Sequence, residues 1–201
     1  TLSHSTPFSL RCTQSKHTPF LTSCKWSGKK RFSQALMDCG ESFNEDGNVD
    51  AIVSDLLNAN LSYLTGNGDG TFTPDLRLFP GWSGGNPQVL ARDVDEDGHI
   101  DLVGPNFFGS QLLISWGTGI DDPILAFEQA TVIPVSGFPM SIDVADLDLD
   151  GDLDLCCGFN SGSGGGVAVS LATGARTFDT EVREIGGMPG AHWSTRAIDI
   201  D

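Results

Sequence analysis

An all-β fold assembled from repeated four-stranded antiparallel units is what this sequence predicts, and three observations carry the prediction. The first is a period. A nine-residue acidic loop, Asp-x-Asp-x-Asp-Gly-x-x-Asp, occurs at residues 93–101 and again at 146–154, and its glycines, Gly98 and Gly151, stand 53 positions apart. A step of 51 back from Gly98 reaches Gly47, and a step of 53 forward from Asp146 reaches Asp199 in the terminal Ala197-Ile198-Asp199-Ile200-Asp201. A fixed spacing of about 50 residues marks a repeat architecture. The second observation is texture: short apolar runs alternate with Gly-rich turns, and no stretch sustains a 3.6-residue apolar spacing. The third is the count of such runs, four in each period, which is the size of one β-propeller blade.

The elements follow in order. Residues 1–35 match no repeat and are rich in Ser, Thr, Lys and Cys; they suit a linker, a capping segment or a tail over the first unit. Within the repeats a strand precedes the loop, as at Val89-Leu90-Ala91 and at residues 141–145. A second strand leaves the loop at residues 50–53, 100–103 and 153–156. A third follows at residues 61–64, 111–116 and 167–171, and a weaker fourth at 76–79, 130–133 and 181–185. The units so delimited are 36–88, 89–141 and 142–194, with the start of a fourth at 195–201. Closed propellers need about four to eight blades. Three blades and a fragment would leave apolar faces and sheet edges bare. The chain also begins at Thr1 without Met and stops inside a loop. The expectation is a segment of a larger propeller, completed by further chain or by another subunit.

The loop itself implies a hard cation. Five acidic residues within nine positions repel one another strongly unless neutralised. Carboxylates at alternate positions of a tight turn point inward, the Gly permits the turn, and the last Asp closes the shell. Ca²⁺ takes six to eight oxygens from side chains, a backbone carbonyl and water. The expected ligands are Asp93, Asp95, Asp97 and Asp101 with the His99 carbonyl, and Asp146, Asp148, Asp150 and Asp154 with the Asp152 carbonyl. The first unit offers Asn44, Asp46 and Asp50 with Ser42 and the Asn48 carbonyl, so it has fewer charges and is the weakest site. Asp199 and Asp201 would open a fourth. The His99 side chain is expected to face solvent.

These residues resemble a known family. Asp-x-Asp-x-Asp-Gly-x-x-Asp-Leu, with Gly66-Asn67-Gly68-Asp69-Gly70-Thr71-Phe72, is similar to the FG-GAP or VCBS repeat of integrin-α-type propellers, over about residues 36–201. Unit one departs from it at Ser42 and Asn44, where the first two Asp would stand. The Gly-Asn-Gly-Asp-Gly-Thr-Phe segment is well kept only in unit one. Residues 173–178 are a relic of it, and an insertion follows Gly117-Thr118-Gly119-Ile120. The resemblance implies an extracellular or cell-surface module that recognises carbohydrate or protein. Some polysaccharide lyases and related enzymes resemble this propeller type, so a catalytic or non-catalytic lyase or hydrolase module is an alternative; a scaffold or filament subunit is another.

Charge and cysteines narrow the field. A formal charge of −16 with pI near 4.3 argues against nucleic acid, since no basic surface exists to displace phosphate counterions. The one basic cluster, Lys25 to Arg31, is short. No apolar run reaches the length of a membrane span. Among five cysteines, Cys12 can pair with Cys24 or either with Cys39, while Cys156 and Cys157 read as two small hydrophobes on opposite strand faces or as a vicinal disulfide. Histidines are scattered and no nucleophile elbow occurs, so catalysis finds little support. In an up-and-down blade the calcium loops open on one end. The opposite end collects Trp82, Phe107, Phe108 and Trp193 beside Asn106 and His192. Aromatic plates among amides suit sugar rings or a protein partner's anchors, and packing of Trp82 and Trp193 between adjacent blades is the alternative.

Overall fold

The computed structural model describes residues 9–14, 21–27, 37–39, 42–44, 46–55, 60–75, 79–83, 85–122, 125–162, 164–179, 183–188 and 195–197. Among the described residues every regular element is a strand. A first hairpin pairs β1 (Ser9–Gln14) with β2 (Leu21–Ser27), and its register sets Cys12 opposite Cys24. Part of the segment that lacked any period is thus a hairpin of its own.

Three four-stranded antiparallel sheets follow. The first runs β3 (Met37–Cys39), β4 (Ala51–Asp55), β5 (Asn60–Gly66), β6 (Phe72–Asp75), in that order across the sheet. The second comprises β7 (Leu90–Arg92), β8 (Asp101–Asn106), β9 (Gln111–Ser115) and β10 (Thr131–Pro134), again in sequence order. The third begins with β11 (Phe138–Ala145), β12 (Asp154–Ser161) and β13 (Gly164–Ser170). A small hairpin of β14 (Ala172–Gly174) and β15 (Thr177–Phe178) then intervenes, and β16 (Arg183–Met188) completes the sheet beside β13. In all three sheets the acidic loop joins the first strand to the second.

Period-two alternation places the core on both faces of the middle sheet. On one face Ala91, Leu102 and Leu113 pack with Ile52 and Tyr63 of the first sheet. On the other, Leu90, Val103, Leu112 and Ile114 pack with Ile142, Leu155, Cys157 and Ala168 of the third. Adjacent residues of one strand therefore serve two cores, which is why β8 is buried along its whole length.

Hydrogen bonds between units keep the period. The Ile142 N–H donates to the Gln88 side chain at 3.0 Å, Ser141 Oγ to Thr195 Oγ1 at 2.9 Å, and the Ala197 N–H to Asp143 at 2.8 Å, each pair 54 positions apart. Residues 195–197 thus lie beside the first strand of the third sheet.

Two expectations are corrected. The fourth strand of unit one is Phe72–Asp75, ahead of the expected 76–79, of which only Phe79 is described. The reason is the turn at 67–71, closed by the Asn67 N–H to the Thr71 carbonyl at 3.0 Å and by Thr71 on Asp69, which starts pairing at Phe72. The boundary set at 141/142 falls inside β11, so the third unit starts at Phe138. Cys156 and Cys157 follow the first of the two readings open to them: both are buried, their side chains leave opposite faces of β12, and they form no vicinal disulfide.

Candidate metal centre

The three loops share one backbone. Gly47, Gly98 and Gly151 adopt φ of 80°, 92° and 100°, and a Cβ added at any of them would meet nothing within 4 Å. Space is therefore not what selects glycine; the left-handed dihedral is. Two residues earlier, Glu96 and Leu149 hold φ of 57° and 65° without being glycine. Gly98→Ala is expected to cost about 1–2 kcal/mol by the left-handed penalty alone. Denaturant titration in chelator measures it, and a loss near zero would show that the loop is free to relax.

Side chains then repeat the same bonds. The fifth-position carboxylate accepts the N–H two residues on: Asn48 to Asp46 at 2.7 Å, His99 to Asp97 at 2.9 Å, Asp152 to Asp150 at 3.0 Å. The first-position side chain accepts the glycine N–H, with Ser42, Asp93 and Asp146 at 3.1, 2.9 and 3.1 Å. Ser42 thus keeps the shape of a loop whose charge it does not supply.

The closing aspartates Asp50, Asp101 and Asp154 are fully buried. One oxygen of each accepts the N–H seven residues back, from Phe43, Val94 and Leu147 at 2.7–2.9 Å. The other accepts an N–H at or just past the end of the third strand, from Gly66, Gly117 and Ala172 at 2.7–2.8 Å. Tyr63 adds its hydroxyl to Asp50 at 2.6 Å. At Gly66 and Gly117 an added Cβ would stand 2.0 and 2.4 Å from the Val49 and Ile100 carbonyl oxygens, so this close approach admits only glycine there.

Two carboxylate groups converge. Oxygens of Asp93, Asp95 and Asp101 lie within 4.8 Å of one another, and so do those of Asp146, Asp148 and Asp154. Asp97 and Asp150 stand outside these trios. Burial pushes the Asp101 carboxyl up to about 7 against two backbone N–H groups that lower it. Desolvation and then the carboxylates of Asp150, Asp154 and Asp146 raise Asp148. In loop one no such trio forms among the described residues. There Asn44 Nδ2 donates to Asp46 at 3.2 Å and Ser42 Oγ at 3.4 Å, and the Asn48 N–H heads the causes that lower Asp46. That loop meets its charge with its own donors. An all-oxygen, carboxylate-rich set fits a hard divalent cation at the other two.

The His99 ring does not face solvent. It lies half-buried against Gly119, in a small cleft with Phe43, Ile100 and Phe127. Arg176, which sequence reasoning missed, comes from the turn between β14 and β15 and reaches the 93–101 loop. The available signal was a cation at the position where the Gly-Asn-Gly-Asp-Gly-Thr-Phe segment of unit one carries Gly70.

At the opposite end the expected ligand face is revised. Trp82 is 7 % exposed and its indole N–H donates to Ser115 Oγ at 2.8 Å, so it is a core residue because its ring fills the space over Gly104. Asn106 is buried and shapes the β8–β9 turn, accepting the Gly109 N–H at 2.9 Å. Phe107 stacks on Phe138 at 5.0 Å and meets Phe108 edge-on at 5.0 Å; Phe108 is 64 % exposed. Sequence reasoning missed Phe138, whose strand it began three residues later. His192, Trp193, Asp199 and Asp201 lie outside the described residues.

Among the described residues no helix is long and apolar enough to cross a membrane. No curated protein matches the chain. The sequence profile of the FG-GAP-like repeat matches residues 93–157, which span both carboxylate trios, the whole of β8 to β11 and the first half of β12. This stretch of the chain is an FG-GAP-like repeat.

Proposed function

We propose that the chain is a calcium-stabilised, extracellular β-propeller segment that serves in recognition of carbohydrate or protein. One observation carries the metal half: two carboxylate trios recur at equivalent loop positions, each with a buried closing aspartate. The propeller half draws support from three four-stranded antiparallel sheets with apolar residues on both faces of the middle one. Millimolar calcium suits weak extracellular sites. For a site with Kd near 10⁻⁴ M in about 1 mM calcium, linkage gives roughly 1.4 kcal/mol. Calcium should therefore raise the thermal midpoint by several degrees over chelator, and an unchanged midpoint would remove the metal reading.

Recognition is supported by the exposed ring of Phe108, with Phe107 and Phe138 behind it, at the end away from the acidic loops. Exposed aromatic groups are frequent anchors at interfaces. Screening the wild-type chain and Phe108→Ala on a glycan array tests the carbohydrate branch. The expected result is loss of signal in the variant with a melting midpoint nearly unchanged. No signal from wild type would favour a protein ligand or the scaffold role.

A further inference from the structure

We propose that Arg176 is an internal counter-cation of the 93–101 loop. It pairs with Asp95 and Asp97 and is displaced when that loop takes calcium. The two acidic loops then fill with unequal affinity, and filling the weaker one unlatches the turn between β14 and β15. This inference rests on the calcium reading above and goes beyond it by ranking two loops whose sequences carry equal charge.

Three nitrogens of one guanidinium meet three carboxylates. Nε pairs with Asp95, Nη2 with Asp97 at 2.8 Å and Nη1 with Glu128 at 3.1 Å. The guanidinium carbon also lies 5.2 Å from the centroid of the Trp116 ring, so an aromatic face backs the planar fork. The Asp95 side chain retains 2 % of its exposure, and the oxygen turned to Arg176 belongs to a residue of the converging trio. A divalent ion drawing on Asp95 would stand beside a fixed positive charge, and like charges a few ångströms apart repel. Metal and guanidinium therefore compete for the same residue.

Among the described residues of this stretch of sequence, the 146–154 loop meets no such partner. Among the described residues no cation reaches Asp146, Asp148 or Asp150, and Asp148 is exposed. In unit one the corresponding turn presents Gly70, which carries no charge. Arg176 thus distinguishes one loop from the other, although it belongs to the neighbouring unit.

Calorimetric titration of calcium into the chelator-stripped chain tests this. Two sites differing by about tenfold are expected. Arg176→Met keeps an apolar stem over Trp116 and removes the charge. It should raise the weaker site about tenfold and leave the stronger unchanged. Asp148→Asn should weaken only the stronger site, which assigns the two. Arg176→Lys retains the charge without the fork and should give a smaller gain than Met. In wild type the Arg176 Nε–H NMR signal should shift as the weaker site fills. An Arg176→Met affinity that stays the same or falls, while binding persists, overturns the counter-cation and leaves the calcium reading standing. Absence of binding in every variant overturns both.

Discussion

Replacing Asp101 with alanine is expected to cost about 3–5 kcal/mol whether or not calcium is present, the largest effect of any single loop substitution. The carboxylate is fully buried and accepts the N–H groups of Val94 and Gly117 at 2.8 Å each. Alanine would leave both donors unpaired inside the protein, each costing about 1–3 kcal/mol. Asp154→Ala should behave alike through Leu147 and Ala172. The informative control is Asp148→Ala, an exposed side chain whose one backbone partner, the Asp150 N–H, lies at the surface, so the change should matter chiefly in calcium. Denaturant titrations in chelator and in calcium separate the two classes. A loss below about 1 kcal/mol for Asp101→Ala in chelator would mean that the closing aspartate is a ligand and nothing more.

Trp82→Ala is expected to destabilise the protein by about 3–5 kcal/mol, as large-to-small changes at buried aromatic sites do. The indole packs with Val89, Leu102 and Leu113 between the first two sheets, and its N–H is satisfied by Ser115. Trp82→Phe would keep most of the apolar volume but leave the buried Ser115 hydroxyl without this partner, so a smaller loss of about 1–2 kcal/mol is expected. Thermal and denaturant unfolding measure both. A near-neutral Trp82→Ala would place the ring at the surface and return it to the ligand face.

Much of this architecture is legible in the sequence, for identifiable reasons. The carboxylate spacing and its glycine are local requirements of one turn, so residues 93–101 and 146–154 announce themselves. Strands β8, β9 and β12 are also legible because both of their faces are buried and apolar. What sequence spacing hides is which partner a side chain meets across the chain. Trp82 and Phe108 are both aromatic residues near Gly-rich turns, yet one fills the space over Gly104 and the other stands in solvent. Arg176 lies 81 positions from Asp95, and only packing of the third unit on the second brings them together. The first-unit fourth strand was missed because its start is fixed by hydrogen bonds within the 67–71 turn rather than by apolar content.

The closing aspartates have a kinetic consequence. Each ties together backbone positions only 16 to 18 residues apart. In the first two sheets every strand also pairs with its immediate successor. Ring closure over such short segments costs little chain entropy, and folds dominated by nearby pairings form fast for their size. A nascent chain emerging from the ribosome could complete one sheet, clamp it and present a finished apolar face before the next has been synthesised. Folding would then advance vectorially, each unit serving as the template on which its successor condenses.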